Sequence, residues 1–126
     1  MPTTSPMPDL PYEPDIPWTV AGVTRGSFRH AYRWWIRNWR KFYLTVTNNS
    51  GKELYTPYLE YNGGRLHAGD SNITTRLVLP GDYGAARRLW KRFLADTNNS
   101  NGATPRIIVA GYNEPEEENE QNGGQT

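Results

Sequence analysis

The 126-residue chain contains no cysteine, so disulfide bonds, cysteine-ligated zinc and thiol nucleophiles are excluded. It has no apolar run of about 18 residues, and we therefore expect no transmembrane helix. Its first residues lack the basic start and apolar stretch of a signal peptide, and we therefore expect an intracellular product. Hydrophobic residues make up only 36% of the chain, yet 5 Trp and 8 Tyr are too many for a wholly disordered protein. The composition indicates a small aromatic core with polar extensions.

Residues that carry out catalysis are also scarce. His30 and His67 are the only histidines, and neither has a carboxylate or thiolate companion at metal-ligand spacing. The sequence has no Gly-x-Ser-x-Gly elbow and no Walker-type phosphate loop. We therefore predict that the chain is not an enzyme and holds no metal or cofactor, with both histidines serving in packing or at the surface.

The formal net charge of +1 hides a strong separation of charge along the chain. Residues 1–15 carry a charge of −3, residues 16–112 carry +9, and residues 113–126 carry −5. All 14 lysines and arginines lie in the middle segment. A basic body of this kind attracts polyanions or acidic protein surfaces.

Proline and charge together predict three segments. Six of the ten prolines lie near the N-terminus, which favours an extended arm over residues 1–20. An α+β domain over 21–112 and an acidic flexible tail over 113–126 are expected to follow. Apolar anchors such as Tyr12 and Trp18 favour an arm that lies on a neighbouring subunit, with a loose terminus as the alternative. Removing the arm is expected to leave the domain folded.

Hydrophobic periodicity predicts a small mixed sheet with two amphipathic helices. The predicted elements in chain order are a helix over 25–38, a strand over 41–48, a short helix from Thr56–Pro57, a strand over 73–79, a helix over 83–96 capped by Asp82, and a strand within 105–112. The expected apolar helix faces are Phe28, Ala31, Tyr32, Trp35 and Ile36, then Ala86, Leu89, Trp90, Phe93 and Leu94.

Basic and aromatic residues alternate in the first predicted helix. Arginines four residues apart form a stripe beside its apolar face: Arg25, Arg29, Arg33 and Arg37. This stripe is either a solvated helix face or a surface for nucleic acid or an acidic subunit. Trp34 and Trp35 are about 100° apart on a helix, so at least one is expected at the surface or in an interface. The predicted interface residues are Tyr12, Trp18, Trp34, Trp35 and Tyr58.

Residues 25–62 resemble a family of tailed-phage proteins through the segments 25–32, 44–49 and 55–62, and the resemblance continues more weakly to about residue 96. The family is the tail-completion and neck group that includes lambda minor tail protein Z. The residues that carry the resemblance are Arg25, Gly26, Asn49, Tyr55, Leu59 and Glu60. Thr56 stands where the family usually has Ala, and Asn62 where it has Gly.

The resemblance implies a structural virion protein that forms a ring, commonly six-fold, around the DNA channel at the head–tail junction. Its expected partners are copies of itself, neighbouring neck and tail proteins and packaged DNA, with no membrane. It would be made in the host cytoplasm and carried in the tail or neck of the virion. The four arginines would then face the DNA channel or an acidic neighbour. A stand-alone basic nucleic-acid-binding protein is the alternative.

Overall fold

The computed structural model describes residues 14–98 and 102–115 and confirms an α+β fold. Its elements are β1 (Pro17–Val20), β2 (Val23–Ser27), α1 (Phe28–Asn38), β3 (Tyr43–Asn48), β4 (Leu54–Tyr55), β5 (Arg65–Leu66), β6 (Ile73–Arg76), α2 (Tyr83–Thr97) and β7 (Ile107–Asn113). Single 3₁₀ turns lie at Trp39–Lys41 and Tyr61–Gly64. Every strand pair among these residues is antiparallel, where we expected a mixed sheet.

The largest sheet has β3 at its centre, with β6 and β7 on either side. The predicted alternation of β3 is confirmed, since Leu44 and Val46 are buried while Tyr43, Thr45 and Thr47 are partly exposed. The pairing between β3 and β7 shifts register between Thr45 and Val46 of β3, which pair with Gly111 and Val109. Ala110 is therefore an extra residue of β7 without a partner in β3. This β-bulge changes which residues of β7 point to the core.

Helix α1 begins three residues later than predicted because residues 23–27 pair with β1 instead. Gly26 takes a φ of +83°, which glycine adopts freely and which breaks a helix. Ser27 then caps α1, and its hydroxyl oxygen accepts a hydrogen bond from the His30 N–H. Ile36 was expected in the core but is 47% exposed, because it lies at the edge of the buried face.

Helix α2 agrees with the prediction. Asp82 caps it, and its carboxylate accepts a hydrogen bond from the Ala85 N–H. Ala86, Trp90 and Phe93 are buried on its inner face, while the other two predicted core residues, Leu89 and Leu94, are half-buried.

The short helix predicted from Thr56–Pro57 is wrong. Residues 54–55 form β4, which pairs with β5, and the chain between them reverses through positive φ angles at Asn62, Gly63 and Gly64. The Thr56 hydroxyl donates to the Gly64 carbonyl instead of capping a helix. A Cβ at residue 64 would lie 2.9 Å from the Thr56 oxygen, so only glycine fits this turn.

Aromatic rings join the N-terminal hairpin to both helices. Trp18 is 3% exposed and stacks on Trp90, with ring centroids 4.2 Å apart and planes 5° apart. The Trp90 indole N–H donates to the Pro17 carbonyl. The expectation that Trp18 belongs to an arm outside the domain is therefore wrong, and removing residues through Trp18 should damage the fold. The other predicted arm anchor, Tyr12, lies outside the described residues.

Replacing Trp18 by alanine is expected to lower the free energy of unfolding by about 3–5 kcal/mol, because it leaves a cavity against Trp90. Urea denaturation followed by circular dichroism measures this change. The control Ile36→Ala, at an exposed apolar position, should change stability by less than about 0.5 kcal/mol. A Trp18 variant as stable as the control would contradict the core role of Trp18.

Candidate functional site

The outer side of α1 carries three exposed arginines because its opposite side is buried. Phe28, Tyr32 and Trp35 pack into the core. The side that faces away from them presents a row that we call the arginine stripe: Arg29, Arg33 and Arg37. The predicted four-residue row is thereby corrected, since Arg25 is exposed on β2 and not on the helix.

Only some of these arginines have an acidic partner. Arg25 lies 3.3 Å from Glu114, and Arg29 lies 3.6 Å from Asp15. Arg33 and Arg37 form no ion pair with any residue in 14–98 or 102–115. Arg33 and Arg37, which we call the outer arginines of the stripe, therefore carry positive charge that the described fold does not neutralise.

Asp15 holds Arg29, the first arginine of the stripe, in place. Burial acts to raise the pKa of Asp15, but hydrogen bonds from Ser27 and from the Ile16 and Arg29 N–H groups, with the charge of Arg29, lower it overall. Because the folded pKa is below the unfolded one, the stabilisation is present above the unfolded pKa and is lost as pH falls through the folded value. At neutral pH Asp15 is thus an ionised partner that holds Arg29.

A cleft of about 470 Å³ lies beside α1. Its walls include Arg25, His30, Ala31, Trp34, Glu114 and Pro115. The Trp34 ring stands edge-on to Trp18 and Phe42, at centroid distances of 6.5 Å and 5.9 Å. Trp34 is half-buried and Trp35 is buried, so Trp34 is the member of this pair that the surface can offer to a partner.

Tyr58 is in the core, which corrects its assignment as an interface residue. Its hydroxyl donates to Asp96 Oδ2 at 2.6 Å, and Asp96 also lies near Arg106 and Arg92, at 3.4 Å and 3.9 Å. Burial, together with the hydrogen bond to Asp96, raises the pKa of Tyr58 strongly. We missed this buried cluster, although the spacing of Arg92 and Asp96 by one helical turn could have indicated an ion pair.

The remaining residues of the phage resemblance have separate structural roles. The Asn49 amide donates to the Pro105 carbonyl, and Glu60 lies 3.0 Å from Arg76. Leu59 is buried beside Leu77, with which it forms an isolated bridge. These residues have different partners, so the structure does not bring them together into one site.

Tyr55 forms a second contact of basic and aromatic groups that the sequence analysis did not predict. Tyr55 is 54% exposed. The guanidinium groups of Arg65 and Arg92 lie 5.6 Å and 5.7 Å from the ring centroid, within the range of cation–π attraction. Tyr55 thus adds an exposed aromatic group to a second basic area of the surface.

Within the described ranges no three metal-ligating side chains are grouped, and no helix there combines the length and apolar content needed to cross a bilayer. Comparison with family models, with curated proteins and with solved structures finds no match to the chain.

Replacing Tyr58 by phenylalanine is expected to cost about 1–3 kcal/mol of unfolding free energy, because buried Asp96 loses a hydrogen-bond donor. Chemical denaturation at neutral pH measures the loss. Tyr55→Phe removes the same hydroxyl from an exposed ring and should leave stability within about 0.5 kcal/mol of the parent. Equal stability of the two variants would show that the Tyr58–Asp96 contact does not support the fold.

Proposed function

We propose that the chain is a non-enzymatic structural subunit that contacts a polyanion through the arginine stripe, within a ring at the head–tail junction of a tailed phage. The observation that carries the polyanion contact is the exposure of Arg33 and Arg37 without an acidic partner among the described residues. The phage setting rests on the resemblance of residues 25–62 to the tail-completion family.

The spacing of the three arginines along α1 suits contact with a phosphate backbone. Four residues of helix rise about 6 Å, so the three arginines of the stripe span about 12 Å along one side. Guanidinium groups bind phosphate oxygens bidentately, and contacts to the backbone alone carry no sequence preference. Such binding suits a subunit that surrounds DNA of any sequence.

Ring formation requires a head-to-tail interface that closes on itself. Of the aromatic residues predicted for this interface, the described surface offers Trp34, beside the cleft. Exposed apolar side chains, Val23, Ile36 and Ile108, are further candidates for contacts between subunits. Trp18, Trp35 and Tyr58 are already buried within the chain and cannot take this role.

The second candidate is a stand-alone nucleic-acid-binding protein. Tyr55, an exposed ring with Arg65 and Arg92 near it, favours this candidate, because single-strand binders combine aromatic rings with basic groups. The two candidates differ in assembly. Negative-stain electron microscopy of the purified protein is expected to show rings, and a monomer that stays monomeric with neck and tail partners would contradict the phage proposal.

The double substitution Arg33→Glu plus Arg37→Glu is expected to weaken binding to a non-specific DNA duplex at least tenfold at low salt. It should also reduce the slope of log affinity against log salt by about one unit per arginine, because fewer counterions are released. Fluorescence anisotropy at several salt concentrations gives both quantities.

The matched control is Arg88→Glu plus Lys91→Glu, which makes the same charge change at exposed positions of α2. Its loss of DNA affinity should be clearly smaller. If both variants lose affinity equally, binding follows net charge and the assignment to the arginine stripe is wrong. If the unaltered protein binds no DNA at low salt, the polyanion contact itself is wrong.

A further inference from the structure

The last described residues of the chain lie against α1. β7 ends at Asn113, and the next residue, Glu114, pairs with Arg25. Pro115 then lines the cleft together with His30 and Trp34. His30 and Trp34 each lie three residues, about one helical turn, before an outer arginine of the stripe, Arg33 and Arg37 respectively.

The residues that follow carry the charge opposite to that of the stripe. The segment 116–126, which we call the C-terminal segment, contains Glu116, Glu117, Glu118 and Glu120 and no basic residue. Arg33 and Arg37 have no acidic partner within the described ranges. Carboxylates accept bidentate hydrogen bonds from guanidinium groups, so the two sets are chemically complementary.

The C-terminal segment is also long enough to reach Arg33 and Arg37. Five extended residues after Pro115 reach about 16 Å, at about 3.3 Å per residue. The distance along α1 from His30 to Arg37 is about 10 Å, at 1.5 Å per residue. The glutamates can therefore reach both outer arginines without any change in the described fold.

The N-terminal residues fit the same surface less well. Pro14 accepts a hydrogen bond from Arg87 of α2, and Asp15 pairs with Arg29, so the chain enters on the other flank of α1 from the cleft. The residues before Pro14 bring only two carboxylates, Asp9 and Glu13. The larger number of carboxylates thus favours the C-terminal segment.

We propose that the C-terminal segment docks on the outer face of α1 in its own chain and pairs its glutamates with Arg33 and Arg37. A tethered segment acts at an effective concentration in the millimolar range, so it competes with any polyanion for the arginine stripe. The docking stands on the contacts above, whereas the competition rests on the proposed function.

A spin label tests the docking without any ligand. Since the chain has no cysteine, Gln121→Cys in the full chain provides a unique attachment site for a nitroxide. At low salt the amide resonances of Arg33 and Arg37 should broaden strongly, and the broadening should decrease markedly at about 0.5 M salt, where exposed charges are screened. The control carries the same label with Glu116→Gln, Glu117→Gln, Glu118→Gln and Glu120→Gln, and should show clearly weaker broadening, because its label is tethered near α1 but not held there.

Three results would overturn the docking. The first is no broadening at low salt in the labelled parent. The second is equal broadening in the four-glutamine control, which would exclude ion pairing as the cause. The third is equal broadening when isotope-labelled, unmodified chains are mixed with spin-labelled, isotope-free chains, because the segment would then reach a second copy.

DNA binding tests the competition. At low salt the four-glutamine variant should bind a non-specific duplex about tenfold more tightly than the parent, because the tethered competitor is lost. In the Arg33→Glu plus Arg37→Glu background the same substitutions should have a much smaller effect. An equal gain in both backgrounds would indicate general charge repulsion and overturn the competition.

The two tests separate the proposals. If no variant binds DNA, the proposed function and the competition both fail, while the spin-label result still decides whether the C-terminal segment docks.

Discussion

The contact between Trp18 and Trp90 is the constraint on which the arrangement of this protein depends. Among the described residues the β1–β2 hairpin pairs with no other strand, so packing and not a larger sheet holds it in place. The stacked indoles, and the hydrogen bond from Trp90 to Pro17, attach the hairpin to α2. The Phe28 N–H donates to the Ile16 carbonyl and attaches it to α1 as well.

The position of the arginine stripe follows from this attachment. Because β2 leads into Ser27, the hairpin sets where α1 begins and which residues form its first turn. Phe28, which stacks near Trp18 and Trp90, then fixes the rotation of the helix. With Phe28 inside, the helical repeat puts Arg33 and Arg37 on the outer side. The aromatic core and the basic surface are thus consequences of one packing arrangement.

Local patterns predicted those parts of the fold that depend on nearby residues. The buried face of α2, its Asp82 cap and the alternation of β3 need only the periodicity of the elements themselves. The predicted helix start at Arg25 was wrong because spacing by four residues does not reveal that Gly26 leaves the helical region.

Long-range contacts account for most of the remaining differences. Whether Trp18 and Tyr58 are buried depends on Trp90 and Asp96, which are distant in the sequence and which no local pattern connects to them. For the candidate site, the sequence predicted the row of arginines on α1. It could not predict that Asp15 and Glu114 pair with some basic residues and leave Arg33 and Arg37 without partners, because that outcome depends on the tertiary fold.

The extra residue Ala110 in β7 sets the direction in which the chain leaves the sheet. Before the bulge the odd-numbered residues Ile107 and Val109 pair across from buried positions of β3, whereas after it the even-numbered Tyr112 pairs with Leu44. Side chains alternate strictly along a strand, so one inserted residue exchanges the two faces for everything that follows. If β7 had no bulge, Tyr112 would point away from Phe42, and Glu114 would point away from Arg25. The ion pair between Glu114, just after β7, and Arg25 of β2 therefore depends on a single inserted residue of backbone.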